Sequence, residues 1–398
     1  MASDDWLFYN ERQYWTPDKI RPYITSYPSE HSILLDYYCE KMEVWQRTER
    51  YYGVPYIWCY LGNFGGNTYL AGNPKEINAR MENTFVNGGD NFRGIGSTLE
   101  GFDVNPFMYK FVFEKAWDFD AHKDLDVYAR SVADSRTGKA DENARKAWDI
   151  LFNEIYDGIT VPGHSPLMNL RPSFGRSSSY HSSLRYSYDN DRLYEAIRLL
   201  LAADGKGSAY EFDVVNLTRQ WLSNIFDSLT FEYKEAYDAR DAVRADSLRK
   251  KMTGILDDMD ELLSTQTYFL VGKWIADARG WGSTPEEADY FEENARDLLT
   301  SWGDRGNMLT DYANRTLSGL VSGYYRPRWE LFFNAVDTAI AEGTEIDETA
   351  LVKAYEDLEY AWWNERPGTF PADPSGDGPS AARRIISEYG AGGDAHQN

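Results

Sequence analysis

Three short strand-like runs with helical stretches between them restrict the first third of this chain to a parallel β-sheet. The runs lie at residues 32–36, 55–60 and 91–97, and the first two are continuously apolar, as strands covered on both faces are. Thr16-Pro17-Asp18 joins an N-capping hydroxyl to a proline at the first helical position and opens a helix over 19–24. Further helical stretches are expected near 41–52, ending at Gly53, and near 74–85. A βαβα order needs crossover connections, and crossovers make neighbouring strands parallel. In such sheets and barrels the chemistry sits on loops after the C-terminal ends of strands. Asp36, Asn63 and Glu100 all follow directly on such runs. Three or four units do not close an eight-stranded barrel, and the pattern fits the C-terminal part of a (β/α)8 barrel better than a small open sheet.

After residue 121 strand patterns give way to helical ones. Helices are expected near 124–133, 142–156, 191–203, 213–237, 245–265, 309–325, 327–341 and 348–363. Within 245–265, Leu248, Met252, Ile255, Met259 and Leu262 recur at steps of four and three and form a narrow apolar seam. Thr284-Pro285-Glu286-Glu287 is a capping box that opens another helix. Residues 366–380, rich in Pro, Gly and Asp, make a loop before a short last helix, and 391–398 is expected to be disordered. The expected class is α/β plus all-α, with a partial barrel domain at 1–121 and an all-helical domain at 122–398.

Composition limits the partners. Asp plus Glu outnumber Lys plus Arg by 64 to 41, a formal charge of -23, which opposes binding to nucleic acid or an anionic membrane and disfavours a heavily sulfated substrate. Cys39 and Cys59 are the two cysteines and imply no disulfide framework. The five histidines are scattered without zinc-site spacing, so the expected chemistry uses neither metal nor cofactor. No apolar run approaches the roughly 20 residues a bilayer span requires, and the first residues lack a signal peptide's basic start and apolar stretch, so a soluble chain of unassigned compartment is expected. The 13 Trp, 29 Tyr and 19 Phe are more aromatic surface than packing usually requires; such enrichment is more often plain core, and sugar clefts also use such rings against pyranose faces.

Two segments narrow this to a family. Tyr56-Ile57-Trp58-Cys59-Tyr60-Leu61-Gly62-Asn63-Phe64-Gly65-Gly66-Asn67 and Gly94-Ile95-Gly96-Ser97-Thr98-Leu99-Glu100-Gly101 resemble the IWC-x-L-x-NFGGN and G-x-G-x-x-x-E-G signatures of the α-N-acetylglucosaminidases of glycoside hydrolase family 89. The resemblance continues through Arg171-Pro172-Ser173, Asp213 to Gln220, Asp311-Tyr312-Ala313-Asn314 and Tyr324 to Trp329. It implies exo-hydrolysis, with retention, of terminal α-linked N-acetylglucosamine on a glycan, with Glu100 as nucleophile. It places Trp6, Trp58 and Tyr312 around the sugar pocket, Tyr312 from the helical domain, and the family's acid/base in an Asn-Glu dipeptide upstream of Trp6, before this chain starts. Asn10-Glu11 lies where the family has no catalytic glutamate.

Other readings stand beside these. Asn63 either binds substrate or shapes the tight turn with Gly65-Gly66, and where relatives carry His this chain has Gly62. Cys59 reads as a buried hydrophobe, Asp36 as a loop anchor, and Asp311 and Arg328 as buried packing groups. Asn216-Leu217-Thr218 and Asn314-Arg315-Thr316 are formal glycosylation sequons. The competing function is a catalytically silent sugar-binding or interaction module, or half of a split enzyme whose partner chain supplies the missing barrel strands.

Overall fold

The computed structural model describes residues 2–101, 105–158, 165–175, 186–366 and 368–390, with the backbone alone at 2–4. The tail expected to be disordered, 391–398, lies outside the described residues. The chain divides into two compact units. One comprises Met1–Gly66, Leu70–Val132 and Phe152–Val161, and the other Asn67–Tyr69, Ala133–Leu151 and Pro162–Asn398.

The first unit holds a parallel sheet of β1 (Ala2–Asp4), β2 (Ile33–Asp36), β3 (Tyr56–Tyr60) and β4 (Phe92–Ser97). The strands stand in chain order with every pair parallel. Spatial order that follows chain order without reversal is the arrangement of a barrel wall, whereas a doubly wound sheet turns back at a switch point. Helices α1 (Trp6–Asn10), α2 (Pro17–Ile24), α3 (Pro74–Asn87) and α4 (Pro106–Trp117) make the connections or follow the last strand. β1, α1 and α4 had no clear signal in the residue pattern. Register pairs Leu34 with Tyr56 and Asp36 with Trp58, so these four share one face of the sheet. Leu34 and Tyr56 join Ile20, Ile24, Val44 and Trp45 in a buried cluster, which marks this as the helix-covered face.

The helix expected over 41–52 is replaced by short 3₁₀ turns at Val44–Thr48 and Tyr51–Gly53. From the end of the first into the second, Glu49, Arg50, Tyr51 and Tyr52 take left-handed φ values of 46, 59, 53 and 50°. Side chains hold the backbone of this segment instead. Asp36 accepts from the amides of Val44 and Trp45, each at 3.0 Å, and the Asn91 amide donates to the Arg50 and Val54 carbonyls at 2.7 and 2.6 Å.

Helix α5 (Leu125–Thr137) begins in the first unit and ends in the second, which continues with α6 (Glu142–Ile150), α7 (Asn190–Ala202), α8 (Ser208–Asp238), α9 (Ala242–Ser264), α10 (Val271–Arg279), α11 (Pro285–Leu299), α12 (Arg326–Glu342), α13 (Glu348–Asn364) and α14 (Gly378–Tyr389). α8 is buried on all sides along 212–224, as a central helix is. The α9 seam is buried as its spacing implies. In the capping box the Thr284 hydroxyl accepts from Glu287 N at 3.2 Å, and the Glu287 carboxylate accepts from Ser283 N at 2.7 Å.

The helix expected over 309–325 is not formed. Residues 300–320 run as turns, with Asp311 and Asn314 at φ 66 and 50°, and only a π-helical turn at Val321–Tyr325 leads into α12. Again the cause is side-chain acceptors. Asp260 takes the amides of Gly319 and Ser322 at 2.7 and 3.1 Å, while Asp311 is itself held by the Arg171 amide at 3.0 Å. The chain is α/β plus all-α, and none of its described helices is long and apolar enough to cross a membrane.

Candidate active site

In the first unit the C-terminal ends of the strands bring Asp5, Tyr37, the turn 62–66 and Glu100 together. The turn needs glycine, since Gly62, Gly65 and Gly66 stand at φ 75, 61 and 77°. Asn63, buried, secures it from inside: its side-chain oxygen accepts from Gly66 N at 3.0 Å, while its amide donates to Gly101 O at 3.2 Å and to the Tyr109 hydroxyl oxygen at 2.9 Å. The Tyr109 hydroxyl in turn donates to Leu61 O at 2.8 Å. At Gly62 a Cβ would stand 2.6 Å from both the Tyr109 hydroxyl oxygen and the Tyr60 ring, so a side chain here requires those rings to move.

Glu100 lies three residues past β4. Its Oε2 accepts the Gly65 N–H at 2.8 Å, and its Oε1 faces the Tyr37 hydroxyl at 3.5 Å. The connecting residues are tied to the sheet end: Thr98 N donates to Tyr60 O at 3.1 Å, and the Thr98 hydroxyl donates to Tyr37 O at 2.5 Å. Trp6, half buried, sets its ring 5.2 Å from Tyr37, 5.2 Å from Tyr9 and 6.4 Å from Phe64. Glu100, Asn63 and Trp6 are therefore assembled around one turn and one tyrosine. The tyrosine, Tyr37, was not singled out from the sequence, although it directly follows a strand run as Asn63 and Glu100 follow theirs.

Trp58 is placed elsewhere. It is 0% exposed, on the helix-covered face, and its indole N–H donates to Glu43 Oε1 at 3.0 Å beside Thr84 of α3. It presents no surface to a ligand. Asp36 shares that face as the loop anchor described above, and burial pushes its carboxyl up to about 7 against the pull of its two amide donors. Glu40 accepts from the amides of Leu61 and Gly62 at 3.1 and 2.7 Å, and burial likewise pushes it up to about 7. Burial raises both the Cys39 and Cys59 thiols, so neither is a reactive thiolate. Asn10-Glu11 lies at the exposed end of α1. Among the described residues no cluster of His, Cys, Asp and Glu is arranged to hold a metal ion.

Tyr312 belongs to the second unit, half buried, with its ring 4.7 Å from Trp302 and edge-on to it. Its neighbour Asp311 is buried in a charged network. Arg328 donates through Nη1 to Asp311 at 2.9 and 3.0 Å and to Glu359 at 2.9 Å, and Arg171 Nε donates to Glu359 at 2.9 Å.

Both halves of the chain match known proteins. Residues 2–119 match the tim-barrel domain of α-N-acetylglucosaminidase, and residues 128–388 match its C-terminal domain. Human α-N-acetylglucosaminidase is 33% identical over 394 residues, covering 96% of this chain and 52% of the human protein. A family 89 glycoside hydrolase from Clostridium perfringens in complex with PUGNAc shares the fold, with a TM-score of 0.84 at 24% identity over 98% of this chain and 44% of that one. A form of the Clostridium perfringens enzyme carrying two Glu→Gln substitutions, in complex with its substrate GlcNAc-α-1,4-galactose, gives a TM-score of 0.79 at 26% identity over 90% of this chain and 41% of that one. The chain thus spans about half the length of the relatives it matches. With a barrel-domain match across its parallel sheet and a C-terminal-domain match across its helices, the chain belongs to the α-N-acetylglucosaminidases of glycoside hydrolase family 89.

Proposed function

We propose that this chain supplies the nucleophile of a retaining exo-α-N-acetylglucosaminidase, and that Glu100 is that nucleophile. The observation that supports this most directly is the carboxylate at a strand end, held by the Gly65 amide and facing the Tyr37 hydroxyl beside the Trp6 ring. Such a site combines a fixed anion, which attacks the anomeric carbon, with an aromatic face on which a pyranose packs. Retention requires a second carboxyl group about 5 to 5.5 Å from the first, acting as acid and then as base. The substrate complex of the Clostridium relative, with two glutamates replaced by glutamine, fits a two-carboxyl scheme. By resemblance the acid/base belongs to barrel strands preceding Trp6. Terminal α-linked N-acetylglucosamine is the proposed substrate group, Trp6 its stacking surface, Asn63 the brace of the turn, Trp58 a support of the wall, and Tyr312 a sugar contact assigned on the resemblance.

The nucleophile's step can be isolated from the acid's. A 2,4-dinitrophenyl α-N-acetylglucosaminide has a leaving group that departs without protonation. Incubation of the 398-residue chain with it should leave one N-acetylglucosaminyl group on the peptide containing Glu100, read by mass spectrometry, and Glu100→Gln should abolish the adduct. An adduct on another residue, or none, overturns the assignment.

A second reading, in which the chain works joined to a partner that supplies further strands, is supported by β1 and β4, each paired on one side only among the described residues. A compact, cooperatively melting monomer in size-exclusion chromatography and circular dichroism would count against it.

A further inference from the structure

We infer that Tyr37 is a positioning residue for the nucleophile, and that its hydroxyl selects Glu100 Oε1 as the oxygen that attacks. The inference rests on the reading of Glu100 as nucleophile.

The two carboxylate oxygens are held by donors of different kinds. Oε2 accepts a backbone amide, Gly65 N–H at 2.8 Å, in a turn whose shape Asn63 and three left-handed glycines impose. That donor does not rotate away. Oε1 faces a phenolic hydroxyl at 3.5 Å, which turns about its own C–O bond. An oxygen that is to bond to carbon must shed or bend its hydrogen bond. The oxygen that stays behind becomes the ester carbonyl and keeps an amide donor without rearrangement. Oε1 is therefore the attacking oxygen and Oε2 the spectator. In the step itself the Oε1–C1 bond forms as the bond from C1 to the leaving oxygen breaks. The leaving oxygen takes its proton from the acid/base carboxyl, or departs as a stabilised anion when its group is acidic enough.

The Tyr37 backbone is held from both sides, as positioning requires. Its N–H donates to Asp5 Oδ1 at 2.8 Å, just past β1, and its carbonyl accepts the Thr98 hydroxyl at 2.5 Å, just past β4. Its place one residue after β2, on the face opposite Asp36, turns the ring toward Trp6 and the hydroxyl toward Glu100. A ring present only to pack against Trp6 has no need of that hydroxyl, and phenylalanine would serve equally.

Tyr37→Phe separates the two roles. With the dinitrophenyl donor, single-turnover labelling of Glu100 should saturate at a rate about 10- to 100-fold lower, as expected when the carboxylate loses the tether that aims Oε1 at the anomeric carbon. The donor concentration giving half the maximal rate should stay within about twofold, and the melting temperature should hold, because the ring and its contact with Trp6 remain. A maximal rate within twofold of the unaltered chain, with Glu100→Gln unlabelled, reduces Tyr37 to packing and overturns this inference alone. So does a raised half-saturating concentration at an unchanged maximal rate, which would make the hydroxyl a sugar contact. Absence of label on Glu100 in the unaltered chain overturns the nucleophile assignment and this inference together.

Discussion

The indole N–H of Trp58 donates to Glu43 Oε1 at 3.0 Å, and the Thr84 hydroxyl donates to the same oxygen at 2.8 Å, so the largest side chain of β3 is spent on the helix-covered face of the sheet. Trp58→Phe keeps an aromatic ring but leaves a small cavity and removes one donor from a buried carboxylate. Stability should fall by about 1 to 3 kcal/mol, measured by urea unfolding, while the half-saturating donor concentration for Glu100 labelling stays unchanged. A tryptophan that stacks on the sugar would show the reverse, with weakened binding and little loss of stability.

Asn63 offers a second separation of brace from contact. Its replacement by alanine strands Gly66 N–H, and Gly101 O loses a donor, at a cost of about 1 to 3 kcal/mol. Because the same turn carries the Gly65 amide on Glu100, the maximal labelling rate should drop as well. Hydrogen exchange at Gly65 and Gly66 in Asn63→Ala should accelerate relative to β3, which a residue contributing only a substrate contact would not cause.

His122 makes stability depend on pH. The ring is 1% exposed, stacked 3.9 Å from Phe111 and edge-on to Tyr128, with no described partner for either nitrogen. Burial first, and then the positive charge of Lys115, push its pKa from 6.5 down to about 4, with Glu114 opposing. The unfolded chain therefore binds the extra proton between about pH 6.5 and pH 4, and stability falls as pH falls through that window, by about 3 kcal/mol once both states are protonated. His122→Phe should flatten this part of the pH–stability curve without lowering stability at pH 7. An unchanged slope between pH 6.5 and 4 would refute the assignment.

Arg328 is fully buried between Asp311 and Glu359, and its Nη2 also donates to Asn169 O at 2.7 Å. Arg328→Met leaves two buried carboxylates short of their counter-charge and should destabilise the chain by about 3 to 5 kcal/mol. Arg328→Lys should recover little of this, since an ammonium does not reproduce the planar fork that reaches all three acceptors. Urea unfolding, or the fraction of soluble chain where unfolding cannot be followed, decides between this and an effect below 1 kcal/mol.

Much of the architecture was legible from periodicity and capping. Strands β2 to β4, helix α3 with its start at Pro74, the α9 seam and the Thr284 box all lie close to where residue pattern places them. The misreadings have one shared cause. At 41–52 and 309–325 the apolar spacing suits a helix, yet Asp36 takes the Trp45 amide, and Asp260, far off in sequence, takes the amides of Gly319 and Ser322 that helix formation would use. Such competition depends on which carboxylates arrive nearby, and local pattern does not carry that information.

The site divides in the same way. By itself the sequence determined the parallel sheet, the glycine-bearing turn at 62–66, the placing of Asn63 and Glu100 after strands, and the family. Only the tertiary structure decided which side chains of a strand reach the site. The run from Tyr56 to Tyr60 is covered on both faces, so it lacks the alternation of polar and apolar residues that would show which face is which. The pairing of Asp36 with Trp58 decides it, directing Trp58 to Glu43 under the helices and leaving Tyr37, one residue further along the neighbouring strand, to face Glu100.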